Sequence, residues 1–233
     1  MKFFFGLIVG VIVACIIGAA AVAVAFGNIS DMHFSDRDKS KDVTQTLDLR
    51  DFDRIDIAGV YELEVTVGGD FSVTVSGPED ELARVEASVN NGELVLDQRD
   101  RKRGEKRWHD HEGVTAKVTL PALSAIEASG VVDGDITGIA SETFKVDISG
   151  VGDMDLTGEC GDLDAQVSGV GDLSAEDLKC KNVVVDVSGV GSASVYASES
   201  VDATVSGMGD ISVSGSPKTV EKNGGMFSSI SVD

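Results

Sequence analysis

The sequence predicts an all-β fold: a parallel β-helix, or β-solenoid, of about 18–20 residues per rung, preceded by an N-terminal transmembrane or signal helix. Three observations predict it. A Ser-Gly phrase returns at 129, 149, 168, 188 and 206, at steps of 20, 19, 20 and 18 residues. Apolar and polar residues alternate with period two on both sides of each copy, and such alternation gives a strand one buried face. The composition suits short strands and tight corners, with 27 glycines, 3 prolines and a second half dominated by Val, Asp, Ser and Gly.

The N-terminal helix rests on the run from Phe3 to Phe26, which holds no charged or strongly polar side chain and follows Lys2 alone. Such a run crosses a ~30 Å hydrocarbon layer as one helix. Residues 1–27 read as a signal-anchor, or as a signal peptide cut after Ala23-Val24-Ala25. Ile12-Val13-Ala14-Cys15 is a weaker lipobox, because apolar chain continues to Phe26. Each reading exports the remainder, and Lys2 agrees with the positive-inside bias. Residues 28–46 are polar and aperiodic, and read as a flexible tether.

Residues 47–128 form an N-terminal β part. Phe52, Ile55, Ile57, Val60, Leu63, Val65 and Val67 make an alternating series, Gly68-Gly69-Asp70 a turn, and 71–75 a second strand. Residues 76–87 (SGPEDELARVEA) read as a soluble helix, with Ser76 or Gly77 as cap, Pro78 in the first turn and acidic residues after it. Asn90-Asn91-Gly92 is a hairpin turn before ELVLD. The loop 99–113 (RDRKRGEKRWHDHEG) breaks the pattern with six of the nineteen basic residues and the only Trp. Residues 114–120 alternate again until Pro121.

Residues 129–233 carry the repeats. Five and seven positions after each Ser stand Met154 and Leu156, Leu173 and Ala175, Ala193 and Val195, Ile211 and Val213. Before each Ser stand Phe144, Val146 and Ile148; Leu163, Ala165 and Val167; Val183, Val185 and Val187; Val201, Ala203 and Val205. Positions between these are polar except Val184. Each rung therefore holds two short strands, which bury a common core only when rungs stack in parallel at ~4.8 Å.

The order of these motifs resembles a known family. The series LDLRDFDRIDIAGVYELEVTVGG, the Gly-Pro acidic segment, VNNGEL, VTLPALSAIEASGV, the SGVGD phrases and the closing SGSPKTVEKNGG are similar to the head GIN domain family of auto-transporter adhesins, over about residues 47–232. The resemblance implies a right-handed parallel β-helix without catalytic residues, and an adhesive role. The 99–113 loop departs from the family pattern.

Candidate sites follow from residue chemistry. Asp153, Asp172 and Asp210 fall in one column and could offer oxygens to Ca²⁺, but Ser192 interrupts the column and the phrase reads better as a corner. His109 and His111 supply only two transition-metal ligands, and a solvated loop explains them as well. Arg101, Arg103, Arg107 and Trp108 combine cations with an aromatic, and suit an acidic polysaccharide or the protein's own acidic face. Cys160 and Cys180 each lie eight residues before a repeat Ser, so adjacent rungs bring them within reach of a disulfide.

A net charge of −21 argues against nucleic-acid binding and against docking on anionic lipid. No nucleophile–base arrangement is visible and no cofactor is expected. The expectation is a non-enzymatic cell-envelope protein, a binding or adhesion module attached to the membrane by its N-terminal helix or released by cleavage near Ala25. Its partners would be a cell-surface glycan or an envelope protein. A self-associating structural component is the alternative, and a polysaccharide-acting enzyme the remotest one.

Overall fold

The computed structural model describes residues 42–99 and 113–233, all within the compact unit Ser40–Asp233. The expected helix at 1–27, most of the tether and most of the basic loop lie outside the described residues. Among the described residues no helix is long and apolar enough to cross a membrane.

The described residues form an all-β fold with a single helical turn. The strands are β1 (Asp42–Leu47), β2 (Arg54–Val67), β3 (Ser72–Pro78), β4 (Val85–Asn90), β5 (Glu93–Gln98), β6 (Val114–Leu120), β7 (Ala125–Ile148), β8 (Met154–Val167), β9 (Val170–Val187), β10 (Val190–Val205), β11 (Met208–Ser214), β12 (Thr219–Gly224) and β13 (Ser228–Val232). They form one open sheet of 13 strands in the order β1-β3-β6-β2-β7-β8-β9-β10-β11-β13. β5 joins through β2, β4 through β5, and β12 through β10.

From β2 to β11 every neighbour along this path is parallel. The alternation explains why. All the apolar repeat positions named above are buried, from Phe144 to Val213, while Val184, the exception to the polar rule, is exposed. Each buried Val or Leu contributes ~1.5–3 kcal/mol, but only if the residue above it points the same way. In-register parallel pairing satisfies that condition.

The repeats differ in length at one place only. Pairing slips between Ile136 and Ile139 against Leu156 and Gly158, between Asp155 and Gly158 against Ser174 and Leu178, and between Val195 and Ser200 against Ala175 and Asn182. The steps of 19, 20 and 18 residues are absorbed there. The Ser-Gly corner keeps its register throughout.

Two expectations need correction. The tether ends earlier than residue 46: Asp42–Leu47 is strand β1, antiparallel to β3, because Val43 and Leu47 pack against the core. The helix expected over 76–87 is one turn, α1 (Glu79–Leu82). Pro78 precedes that turn and no side chain caps it. Beyond it Val85, Ala87 and Val89 keep period two and form β4, paired antiparallel with β5. The hairpin turn at Asn91-Gly92 has positive φ at both residues, 51° and 78°, the twist that a two-residue hairpin demands.

Candidate binding surface at the repeated corner

The Ser-Gly corner is a stack of extended backbone. Amides climb from one repeat to the next: Val151 N–H donates to the Gly130 carbonyl at 2.7 Å, Val170 to Gly150 at 2.9 Å, Val190 to Gly169 at 3.0 Å and Met208 to Gly189 at 3.0 Å. The glycines are there for closeness. A Cβ on Gly169 would lie 1.8 Å from the Gly150 carbonyl oxygen, one on Gly171 1.9 Å from Gly152, and one on Gly191 1.8 Å from Gly171. None of these three has a left-handed φ. Positive φ, which favours glycine, is found at Gly130 (107°) and Gly152 (144°) and not at these later glycines of the two columns.

Between the two glycine columns the corner presents an apolar line to solvent. Val60, Val131, Val151, Val170, Val190 and Met208 pair in sequence, one per repeat. They are between 44% and 58% exposed. With glycine on both sides from Val151 onward, these side chains stand above a floor of bare backbone. No reading of the sequence alone identified this line. Its signal was there: an apolar residue two positions after each Ser, where the alternation places a solvent-facing side chain.

A carboxylate rail runs beside it. The Asp133 carboxylate accepts from Asp153 N–H at 3.3 Å, and that of Asp153 from Asp172 N–H at 3.0 Å. The Asp172 carboxylate accepts from Ser192 N–H at 2.8 Å and Ser192 Oγ–H at 2.6 Å. Each aspartate thus bonds the next repeat through one oxygen. Asp153 and Asp172 are brought together, with Asp210 beyond Ser192 in the same column. Among the described residues no group of three or more His, Cys, Asp or Glu could hold a metal ion.

The two described ends of the basic loop stand at this corner by register. β5 pairs with the first arm of β2 (Ile57 opposite Leu96), and β6 with its second arm (Tyr61 opposite Val114). The end of β5 and the start of β6 therefore flank Val60, where β2 turns its corner. The Gln98 amide receives Val60 N–H at 3.1 Å and donates to the Val60 carbonyl at 3.4 Å, and a Cβ on Gly113 would meet Val60 Cγ1 at 3.5 Å. Arg101, Arg103, Arg107, Trp108, His109 and His111 lie outside the described residues.

The opposite side of the repeats holds a shallow groove lined by Glu142, Glu159, Asp162, Lys181 and Tyr196 around a Cys160–Cys180 disulfide. The cysteines pair directly, with Cα atoms 4.5 Å apart. Ser141 continues their column on one side, and Ala197 on the other. Ser198, which like the two cysteines lies eight residues before a repeat Ser, is displaced from the column by the bulge at 198–199, and its hydroxyl donates to the Cys180 carbonyl. Lys179 lies 4.3 Å from the Tyr196 ring centre, an attraction of charge to the ring face. Asn182 donates to Asp162 at 2.8 Å and accepts from Ser200 at 2.7 Å.

Two groups on β2 titrate abnormally. Asp56 is held above the usual carboxylate range by burial first, and then by Glu93, Glu127 and Asp97 nearby. The Tyr61 phenol is pushed up by burial, with the Asp97 carboxylate adding to it, and its hydroxyl donates to the Asp97 carbonyl at 3.1 Å.

Residues 51–217 match the family profile described as putative auto-transporter adhesin, head GIN domain. A crystal structure of a putative adhesin from Bacteroides fragilis is similar, with 25% identity, a TM-score of 0.69 and coverage of 83% of this chain and 97% of that one. A putative adhesin from Parabacteroides merdae is 17% identical, with a TM-score of 0.47 and coverage of 82% and 96%. No curated protein matches the chain.

Proposed function

Because the chain belongs to the putative auto-transporter adhesin, head GIN domain family, we propose that it is a non-enzymatic adhesion or binding module of the cell envelope. In this reading residues 1–27 anchor or export the chain, a tether follows, and the parallel strands wind as a β-solenoid. The winding is supported by the in-register parallel pairing and by apolar positions that are buried in every repeat. The observation that carries the function is the outward column of polar side chains. Asp133 and Asp135, Asp153 and Asp155, Asp172 and Ser174, Ser192 and Ser194, Asp210 and Ser212 repeat along β7 to β11 and their corners. Such a surface offers hydroxyls and carboxylates at a constant spacing to a polymer with its own repeat, such as a cell-surface glycan. The similar Bacteroides fragilis protein is itself named a putative adhesin.

Binding of the full chain to intact cells and to an immobilised glycan panel tests the reading. Saturable binding that falls when Asp155, Ser174 and Ser194 are replaced together by Lys is the expected result. Failure to bind any cell, glycan or envelope protein would remove it. Membrane fractionation with N-terminal analysis of the mature protein separates an anchored chain from one cleaved near Ala25.

A further inference from the structure

The solvent-facing line of Val60, Val131, Val151, Val170, Val190 and Met208 is not required by the buried core, and the proposed polar face does not use it. It is apolar, continuous from repeat to repeat and bordered by the Asp133, Asp153 and Asp172 rail. An occupant must therefore bring apolar area and cations together. The geometry points to residues 100–112 of this same chain as that occupant, with Trp108 seated on the valines and the arginines and lysines beside the aspartates.

Three observations carry the inference. The first is origin. The segment leaves from β5 and re-enters at β6, in the repeat that stacks on β2, so both of its ends stand at Val60, the first residue of the line. The second is reach. Thirteen residues going out and back extend at most ~20 Å, at ~3.3 Å per residue, which is about four repeats at ~4.8 Å. Trp108 lies five residues before Gly113, so it reaches ~16 Å, as far as Val131 and Val151. The third is charge. Arg101, Lys102, Arg103, Lys106 and Arg107 precede the Trp, and they meet an acidic rail in a chain of net charge −21. Cations over carboxylates attract, and an indole over aliphatic side chains buries large apolar area.

Trp108 is the only tryptophan, so intrinsic fluorescence of the full chain in mild non-ionic detergent reports on it directly. The wild type should emit to the blue of a synthetic 99–113 peptide, and acrylamide should quench it several-fold less. The triple variant Val131→Ser, Val151→Ser, Val170→Ser should move emission to the red and raise quenching at least about twofold, with unchanged far-ultraviolet circular dichroism. The wild type should also become more quenchable as salt rises, because the rail is exposed and therefore screened. Should the triple variant not fold, Asp133→Asn with Asp153→Asn and Asp172→Asn serves instead, since Asn still accepts the rail's backbone bonds. Wild-type quenching equal to that of the free peptide overturns the inference. So does protection that survives salt together with either set of substitutions.

Discussion

A Cβ at Gly171 would stand 1.9 Å from the Gly152 carbonyl oxygen, and one at Gly191 1.8 Å from that of Gly171. Neither contact is with a side chain that could rotate away. Gly171→Ala must push two backbones apart, and we expect a loss of more than about 3 kcal/mol in urea unfolding, at the upper end for overpacking. Asp56 gives a prediction of opposite sign. Its folded-state pKa is raised by burial, then by Glu93, Glu127 and Asp97. The contribution it makes in the protonated form is thus complete below its unfolded value and is lost as pH rises through the folded one. Asp56→Asn should raise the melting temperature at pH 7, and the gain should vanish as pH falls through the usual carboxylate range. Thermal unfolding of both proteins at several pH values checks this. At this scale the sequence was legible where side chains alternate, and every named apolar repeat position is buried. It was less legible where the cause is a neighbour's backbone, because the carbonyl below Gly171 leaves no mark in the residues beside it.

Among the elements, the segment after Pro78 shows how a longer-range preference overrides a local one. The residues favour a helix start, and one turn forms. The Asn91-Gly92 hairpin then recruits Val85, Ala87 and Val89 into β4 against β5, since a paired strand buries more than a lone short helix can. The Cys160–Cys180 link acts at the same scale. It joins β8 to β9 across 20 residues of sequence, and closing a loop of that length is worth ~3 kcal/mol in the chain-entropy account. The double variant Cys160→Ala, Cys180→Ala should lose about that much in urea unfolding. Reducing agent should lower the wild type to the same midpoint and leave the variant unmoved. The bulge at 198–199, which puts Ala197 opposite Cys180, was hidden from the sequence because offsets counted from one corner pass through the place where lengths change.

Across the described part of the molecule, the repeats from β7 to β11 pair chiefly with those before and after them. Stability in such a stack is a sum over neighbours, and it is smallest at the ends. All six residues of β12 are exposed, and Met226 and Phe227 beyond it are 92% and 75% exposed. Amides of β12 and β13 should therefore exchange at least about tenfold faster than those of β8 and β9, as hydrogen-exchange mass spectrometry would report. Equal protection along the stack would contradict this. The parallel order of the repeats was readable from one chain because the same period returns at each copy. That the two ends of the basic loop flank Val60 was not, since only the pairing of β5 and β6 with β2 reveals it. The confinement of length changes to one side has a further consequence. The valine corner is a graduated scale with divisions of ~4.8 Å, and residues gained or lost elsewhere in a repeat leave its markings undisturbed. Copying one whole repeat would lengthen the scale by one division and alter nothing else on it.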